Sequence, residues 1–148
     1  GADPGLRSGA IAAIDHNGVY VGAYDIPAIG DRIDVKALKQ LILSLVTPGD
    51  DYAICLEQVW TMPKQGIAST GRFMRAFGAI GAVAELCCDR IFYVTPQVWK
   101  KAMGVTSDKN DSLAAARIAF PQATLLLKKD HGKAEALLIA DYARRTYA

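Results

Sequence analysis

Cysteine is scarce in this 148-residue sequence, and its arrangement argues against two common kinds of site. The three cysteines, Cys55, Cys87 and Cys88, form an odd set without a Cys-X-X-Cys spacing. That pattern argues against a disulfide framework and against a structural zinc site. Strong charge imbalance is also absent, since the formal net charge is only +2. The charge total by itself therefore does not indicate a nucleic-acid partner.

Long apolar runs are also absent. The most apolar stretch, residues 76–88, is interrupted by Glu85 and by glycine, so we predict no segment that spans a membrane. We recognise no signal peptide and expect a cytoplasmic protein. The hydrophobic share of 51% and the charged share of 22% are ordinary for a globular chain. We therefore expect a single domain over residues 1–148.

Strands and helices alternate along most of the sequence. Asn17-Gly18 is a strong hairpin signal that joins predicted strands at 8–14 and 19–26. The other predicted strands cover residues 52–57 and 91–94, both expected to be buried. The predicted helices cover residues 35–46, 69–88, 96–103, a stretch from Asp108 or Asn110 to Phe120, and 131–147. This order predicts a three-layer α/β fold, a mixed central sheet with helices on both faces.

Two acidic residues lie where predicted strands end. Asp3 stands in Asp-Pro-Gly-Leu, which is either a strand end or simply a turn. Glu57 ends a short apolar strand, where an unpaired carboxylate would be costly to bury. A salt bridge would compensate its charge, and so would a divalent cation shared with other acids.

The last predicted helix carries a third acid. His131 and Glu135 are four residues apart and so share a helix face, where both could ligate one ion. Asp130 is either an N-cap or a metal ligand. Asp141 points away from Glu135 and is expected to be a surface acid. Carboxylates suit Mg²⁺ or Mn²⁺, and two such ions about 4 Å apart would support phosphodiester hydrolysis.

Four segments resemble the RuvC family of Holliday junction resolvases, in particular a phage-type or similarly divergent member. They are Asp-Pro-Gly-Leu with Ser-Gly at 3–9, Leu-Glu-Gln-Val-Trp at 56–60, Thr-Pro-Gln-Val-Trp-Lys-Lys at 95–101 before a helix from Lys109, and Ala-Glu-Ala-Leu-Leu-Ile-Ala at 134–140. The resemblance spans nearly the whole chain. It implies a ribonuclease H-like fold, a homodimer with two active sites, two Mg²⁺ ions per site, and paired nicks in four-way DNA junctions. We expect the helix at 69–88 to form the dimer seam.

The resemblance also assigns site residues. By position, Asp3, Glu57 and Glu135 would bind the catalytic ions, with Glu135 replacing the usual final aspartate of the family. The family normally has an aspartate or histidine three positions earlier, where this chain has Gly132. Either Asp130 or His131 must then complete the site. His131 is favoured because it shares a helix face with Glu135, and Asp130 is favoured because a carboxylate is the harder ligand.

Aromatic and basic residues are the candidates for DNA contact. Trp60 matches an aromatic position that stacks on unpaired bases in the family, although burial in the core is its alternative role. Such stacking is worth about 1–3 kcal/mol per base. The candidate phosphate contacts are Lys64, Arg72, Arg75, Lys100, Lys101 and Lys109.

Three rival functions are weighed against junction resolution. A less selective nuclease would cut flaps and other branches with the same site. An inactive junction-binding protein would bind without metal. A sugar-kinase or actin-like ATPase also has an acid near glycine in its first strand, but it needs two such domains, for which this chain is too short.

Overall fold

The computed structural model describes residues 1–60 and 66–147. Its strands are β1 (Ala2–Asp3), β2 (Ala10–Ile14), β3 (Tyr20–Asp25), β4 (Ala28–Ile29), β5 (Arg32–Ile33), β6 (Ile54–Glu57) and β7 (Ile91–Val94). Its α-helices are α1 (Val35–Ser44), α2 (Ile67–Cys87), α3 (Pro96–Met103), α4 (Lys109–Ala119) and α5 (His131–Tyr147), with a 3₁₀ turn at Lys128–Asp130. None of the helices so described combines the length and apolarity needed to cross a bilayer.

Five strands form one mixed sheet in the order β3-β2-β1-β6-β7. The β1–β2 and β2–β3 pairs are antiparallel, whereas the β1–β6 and β6–β7 pairs are parallel. One apolar core joins α1 and α2 to one face of this sheet, and a second joins α3, α4 and α5 to the other. The predicted three-layer architecture is confirmed.

The opening hairpin forms where the sequence predicts it. Gly18 has φ 84°, the left-handed conformation that the turn between β2 and β3 requires. Strand β2 begins two residues later than predicted. The reason is the close packing of Gly9 against Gly5, where an added Cβ would lie 2.4 Å from the Gly5 carbonyl oxygen. The loop before β2 therefore folds back on itself before the strand begins.

Side-chain caps set the starts of two helices. Asp34 accepts a hydrogen bond from the Ala37 amide at 3.0 Å and caps α1 as predicted. For α4, Asp108 is the cap, accepting from the Asn110 amide at 2.8 Å, so the alternative start at Asn110 is wrong.

Three other expectations need correction. Strand β7 was predicted to be buried, but it is an edge strand and only Val94 is fully covered. The small β4–β5 hairpin was not predicted, because each of its strands has only two residues. Asp141 is buried rather than on the surface, where it forms ion pairs with Arg144 at 2.8 Å and Arg145 at 2.6 Å.

Candidate active site

Three carboxylates from distant parts of the sequence lie near one another at one edge of the sheet. Asp3 ends β1 and Glu57 ends β6, and these strands are parallel neighbours whose carboxyl ends lie side by side. Glu135 lies on α5, which packs across β1 and β6. The pKa of Asp3 is raised well above its usual value, first by burial and then by the charges of Glu57 and Glu135. The three acids are therefore within electrostatic range of one another.

Glu57 is held by a buried tryptophan. The Trp99 indole nitrogen donates a hydrogen bond of 2.7 Å to Glu57 Oε1, and Trp99 itself is fully buried at the start of α3. Burial raises the pKa of Glu57; the Trp99 hydrogen bond opposes that shift, and the charge of Glu135 adds to it. Trp99 thus fixes the direction of a carboxylate that is only 6% exposed.

Glu135 has a cationic partner inside the site. Lys100 Nζ lies 2.7 Å from Glu135 Oε1, and the Ser112 hydroxyl donates to the same oxygen at 3.3 Å. The Lys100 side chain is only 17% exposed. That Lys100 contacts phosphate stays a prediction; in this structure its ammonium is engaged with Glu135.

Gly132 lies directly beside Asp3. A Cβ at this position would be 3.4 Å from Asp3 Oδ2, but it would also be 2.0 Å from the Ser8 carbonyl oxygen. No real Cβ approaches backbone so closely, so the fold as it stands admits only glycine here. The position where the RuvC family carries its fourth acidic or histidine ligand is thus next to the carboxylates, and this chain has no side chain to offer there.

Asp130 and His131, the two candidates for the missing ligand, have other partners. Asp130 Oδ2 accepts from the Leu127 amide at 2.8 Å, and its Oδ1 lies 3.6 Å from Lys133 Nζ. The His131 ring contacts Lys109 Nζ at 3.2 Å through Nε2 and the Lys128 carbonyl oxygen at 3.2 Å through Nδ1. Since an ammonium only donates, Nε2 is the acceptor and the proton is on Nδ1. Whether either residue completes the site stays a prediction.

The acids fit a divalent cation in kind, because carboxylate oxygens are the ligands that Mg²⁺ and Mn²⁺ prefer. Among residues 1–60 and 66–147, however, no three His, Cys, Asp or Glu side chains form a group ready to hold a metal ion. Glu57 and Glu135 are turned towards Trp99 and Lys100, while their charges still act on Asp3. A carboxylate changes rotamer more readily than the backbone moves. Asp3, Glu57 and Glu135 are therefore the residues that would hold an ion.

The candidate DNA-contact residues lie on the surface, with two exceptions. Trp60 lies three residues after the end of β6 and is 65% exposed, so the alternative of core burial is wrong. Arg72, Lys101 and Lys109 are exposed. Arg75 is also exposed and pairs with Asp31 at 3.3 Å. The exceptions are Lys100, which lies inside the site, and Lys64, which falls outside the described residues.

The sequence does not predict three contacts around the acids: Trp99 with Glu57, Ser112 with Glu135, and Gly132 with the Ser8 carbonyl. A signal for Trp99 was available, since a tryptophan after a strand and a helix cap is often buried and its N–H then needs an acceptor. Ser112 carried no comparable signal. The sequence shows that Gly132 departs from the family pattern, but it does not show that α5 approaches the loop before β2 closely at this residue.

No family model and no curated protein matches this sequence. Solved structures do. Thermus thermophilus RuvC in complex with a Holliday junction substrate superimposes with a TM-score of 0.71 at 15% identity, covering 99% of this chain and 94% of that one. A second Thermus thermophilus RuvC structure gives 0.64 at 17% identity, covering 98% and 93%. The chain has the RuvC fold. The predicted ribonuclease H-like architecture is confirmed, and at this identity the chemistry depends on the residues themselves.

Proposed function

We propose that this RuvC-like chain is a structure-selective endonuclease that resolves four-way DNA junctions by metal-dependent hydrolysis of phosphodiesters. One observation carries the proposal: Asp3, Glu57 and Glu135 lie together at one sheet edge, where burial and the neighbouring carboxylates raise the pKa of Asp3 and of Glu57. Such an arrangement is typical of sites that bind cations. The likeness to an RuvC bound to a Holliday junction supports DNA as the substrate.

Each acid has a distinct place in the proposed mechanism. Asp3, whose pKa is raised by burial and by the charges of Glu57 and Glu135, would be one of the residues that hold the ions. Glu57 keeps its direction through Trp99, and Glu135 would exchange the Lys100 ammonium for an ion. When bound, two divalent ions would supply an activated water and stabilise the leaving oxygen. The cofactor we propose is Mg²⁺, with Mn²⁺ as a substitute.

The proposed DNA surface consists of exposed basic and aromatic side chains. Exposed Arg72, Arg75, Lys101 and Lys109 would contact phosphates, and such contacts make binding fall steeply with salt concentration. Trp60, three residues after Glu57, offers an exposed ring for stacking on an unpaired base. Competition between four-way junctions and flaps at one fixed salt concentration separates the resolvase from a less selective nuclease.

We also propose a homodimer with α2 as its seam. The support is the surface of α2, where Ile67 and Met74, two turns apart on one face, are 93% and 42% exposed. A second copy covering these side chains would bury apolar surface that the single chain leaves in water.

The proposed setting for this activity is the cytoplasm of a bacterium or of a phage-infected cell.

The decisive experiment is cleavage of a synthetic four-way junction with Mg²⁺ by the wild type and by Glu57→Gln. We expect the variant to lose about a hundredfold or more in cleavage rate, because a ligand to the ions has lost its charge. Junction binding in EDTA, measured by gel retardation, should persist in both proteins. Asp51→Asn is the control, since Asp51 is exposed before β6, at the opposite end of that strand from Glu57, and should leave cleavage unchanged.

The same assay tests the binding-module alternative. An inactive junction-binding protein predicts tight binding and no cleavage by the wild type at any Mg²⁺ or Mn²⁺ concentration. Full cleavage by Glu57→Gln would instead contradict the assignment of the site.

A further inference from the structure

The small β4–β5 hairpin carries an acid to the side of α2. Its two strands are joined by a turn in which Gly30 has φ 62°, and Asp31 follows in the same turn. Ile33 on β5 is 6% exposed and packs in the core that α2 covers, which fixes the hairpin to this helix. The Asp31 side chain is nevertheless 71% exposed. The hairpin therefore positions this carboxylate at the surface beside α2.

Asp31 lines a groove that is rich in arginine. Nη2 of Arg75, on α2, donates to Asp31 Oδ1 at 3.3 Å and to the Asp31 carbonyl oxygen at 3.2 Å. Arg7 and Arg72 line the same groove, which has a volume of about 480 Å³. Within residues 1–60 and 66–147, neither Arg7 nor Arg72 forms an ion pair. The groove therefore has more positive than negative charge.

The groove borders the loop that follows Asp3. Arg7 lies in the connection between β1, which ends at Asp3, and β2. The next residue, Ser8, forms part of the wall of the acidic site, since a Cβ added at Gly132 would lie 2.0 Å from its carbonyl oxygen and 3.4 Å from Asp3 Oδ2. Phosphates follow one another about every 3.4 Å along the axis of each DNA strand. A strand with one phosphate at the acids therefore carries neighbouring phosphates past this groove.

Arginine is well suited to bind such a phosphate. Its planar guanidinium donates two parallel hydrogen bonds to a phosphate or a carboxylate. Arg72 and Arg75 are three residues apart on α2 and so lie on neighbouring positions of its surface. The Asp31 side chain engages Arg75 through one guanidinium nitrogen only. Because an exposed ion pair contributes at most about 1 kcal/mol, a phosphate with several arginine contacts can displace this carboxylate.

We propose that Arg7, Arg72 and Arg75 form a subsite for a backbone phosphate of DNA next to the acids, and that Asp31 occupies it as an internal anion until DNA displaces it. The choice of DNA as the ligand rests on the proposed function. Asp31 then weakens binding, because an incoming phosphate must replace its carboxylate and stay near its charge. The hairpin thus sets how tightly the protein holds a DNA backbone.

The test measures binding of a synthetic four-way junction in EDTA, so that cleavage does not enter. Asp31→Asn keeps the size and turn preference of the side chain and removes its charge. We expect the affinity to increase about threefold to tenfold, and the plot of log affinity against log salt concentration to steepen by up to about one. Asp51→Asn is the matched control. It changes the net charge equally, but Asp51 pairs with Arg90 at 2.7 Å before β6, so we expect a gain of less than about twofold.

Two further measurements tie the effect to the groove. With Arg7→Gln and Arg72→Gln both present, adding Asp31→Asn should raise the affinity less than about twofold, because the subsite has lost two donors. Inorganic phosphate, titrated at constant ionic strength, should shift the guanidinium N–H resonances of Arg7 and Arg75 at lower concentration in Asp31→Asn than in the wild type. Thermal unfolding verifies that each variant is folded, and Asp31→Ser replaces Asp31→Asn if the latter is not.

Equal gains from Asp31→Asn and Asp51→Asn would overturn the proposal, because net charge would then account for the effect. A full gain that persists without Arg7 and Arg72 would overturn it as well. A response to inorganic phosphate with unchanged junction affinity would show a site for free phosphate and overturn DNA as its ligand. These three results leave the nuclease proposal standing, since cleavage of the same junction with Mg²⁺ tests that separately. Failure of every version to bind the junction would overturn both proposals.

Discussion

Two neighbouring residues, Trp99 and Lys100, hold two of the three acids. The indole N–H serves Glu57, and the ammonium serves Glu135. Charged groups buried without partners are costly, so these contacts explain how Glu57 and Glu135 are tolerated at exposures below 10%. Lys100 supplies positive charge where we propose that metal ions bind, and it lies in contact range of the Trp99 ring, 5.1 Å from its centroid.

Trp99→Phe removes the donor while keeping most of the ring. We expect the pKa of Glu57 to rise further and the free energy of unfolding to fall by about 1–3 kcal/mol, because a buried acceptor loses its partner. Urea unfolding at neutral pH measures the change. Trp60→Phe is the control, since Trp60 is exposed and its substitution should change stability by less than about 0.5 kcal/mol. Equal losses in the two variants would contradict the role given to Trp99.

Asp3, Glu57 and Glu135 could be found from the sequence because each is an acid next to an apolar segment. Their partners could not, because side-chain pairing across 35 or 42 residues leaves no local pattern. The pairing of Lys100 with Glu135 could not be predicted from the sequence for this reason. The local sequence around a lysine that faces water does not differ from the local sequence around a lysine that pairs with a buried carboxylate.

At the scale of elements, the first turn of α5 packs directly on the loop that precedes β2. Gly132 makes this approach possible, because the Ser8 carbonyl occupies the space a side chain would need. The contact aligns α5 with Asp3, so that Glu135 and Asp3 share one site. Helix packing at a single glycine thus fixes the distance between two acids that are far apart in sequence.

Gly132→Ala should therefore be strongly destabilising although alanine favours helices. We expect a loss of about 1–3 kcal/mol or more from the steric conflict, measured by thermal unfolding, together with weaker Mg²⁺ binding as Asp3 moves. Gly78→Ala is the matched control, compared at a concentration where the chain is monomeric because Gly78 lies on α2, the proposed dimer seam. Gly78 is an exposed glycine within α2 with nothing within 4 Å of an added Cβ, so alanine there should stabilise by about 0.5–1 kcal/mol. Stabilisation by both substitutions would contradict the packing argument.

Most elements could be predicted because their signals are local. The cap Asp34, the turn at Gly18 and the proline at the start of α3 each act within a few residues. The β4–β5 hairpin and the exposure of β7 could not, because very short strands and edge positions depend on which strands are neighbours. Hydrophobic content alone does not distinguish an edge strand from a central one.

At the scale of the whole molecule, the acids link stability to pH. Asp3 and Glu57 have raised pKa values, so the folded chain keeps protons that the unfolded chain releases near pH 4. Their stabilising contribution is complete below that pH and is lost as the pH rises through the raised values. Each unit of pKa difference is worth about 1.4 kcal/mol.

In EDTA, we therefore expect the free energy of unfolding to fall as the pH rises above 4, and Asp3→Asn to reduce the fall. Urea unfolding between pH 4 and pH 8 measures it, with the exposed acid Asp51 supplying the control variant Asp51→Asn. Adding Mg²⁺ at pH 8 should restore stability to the wild type more than to Asp3→Asn. A flat pH profile for the wild type would show that the carboxylates do not interact as described.

Because Trp99 and Lys100 are consecutive residues of one eight-residue helix, Glu57 and Glu135 respond together to any displacement of α3. A rigid shift of that helix frees both carboxylates in a single event, and its return restrains both again. Lys101, the next residue, faces solvent. A partner that binds the exposed side of α3 and displaces the helix would therefore change the contacts of both acids together.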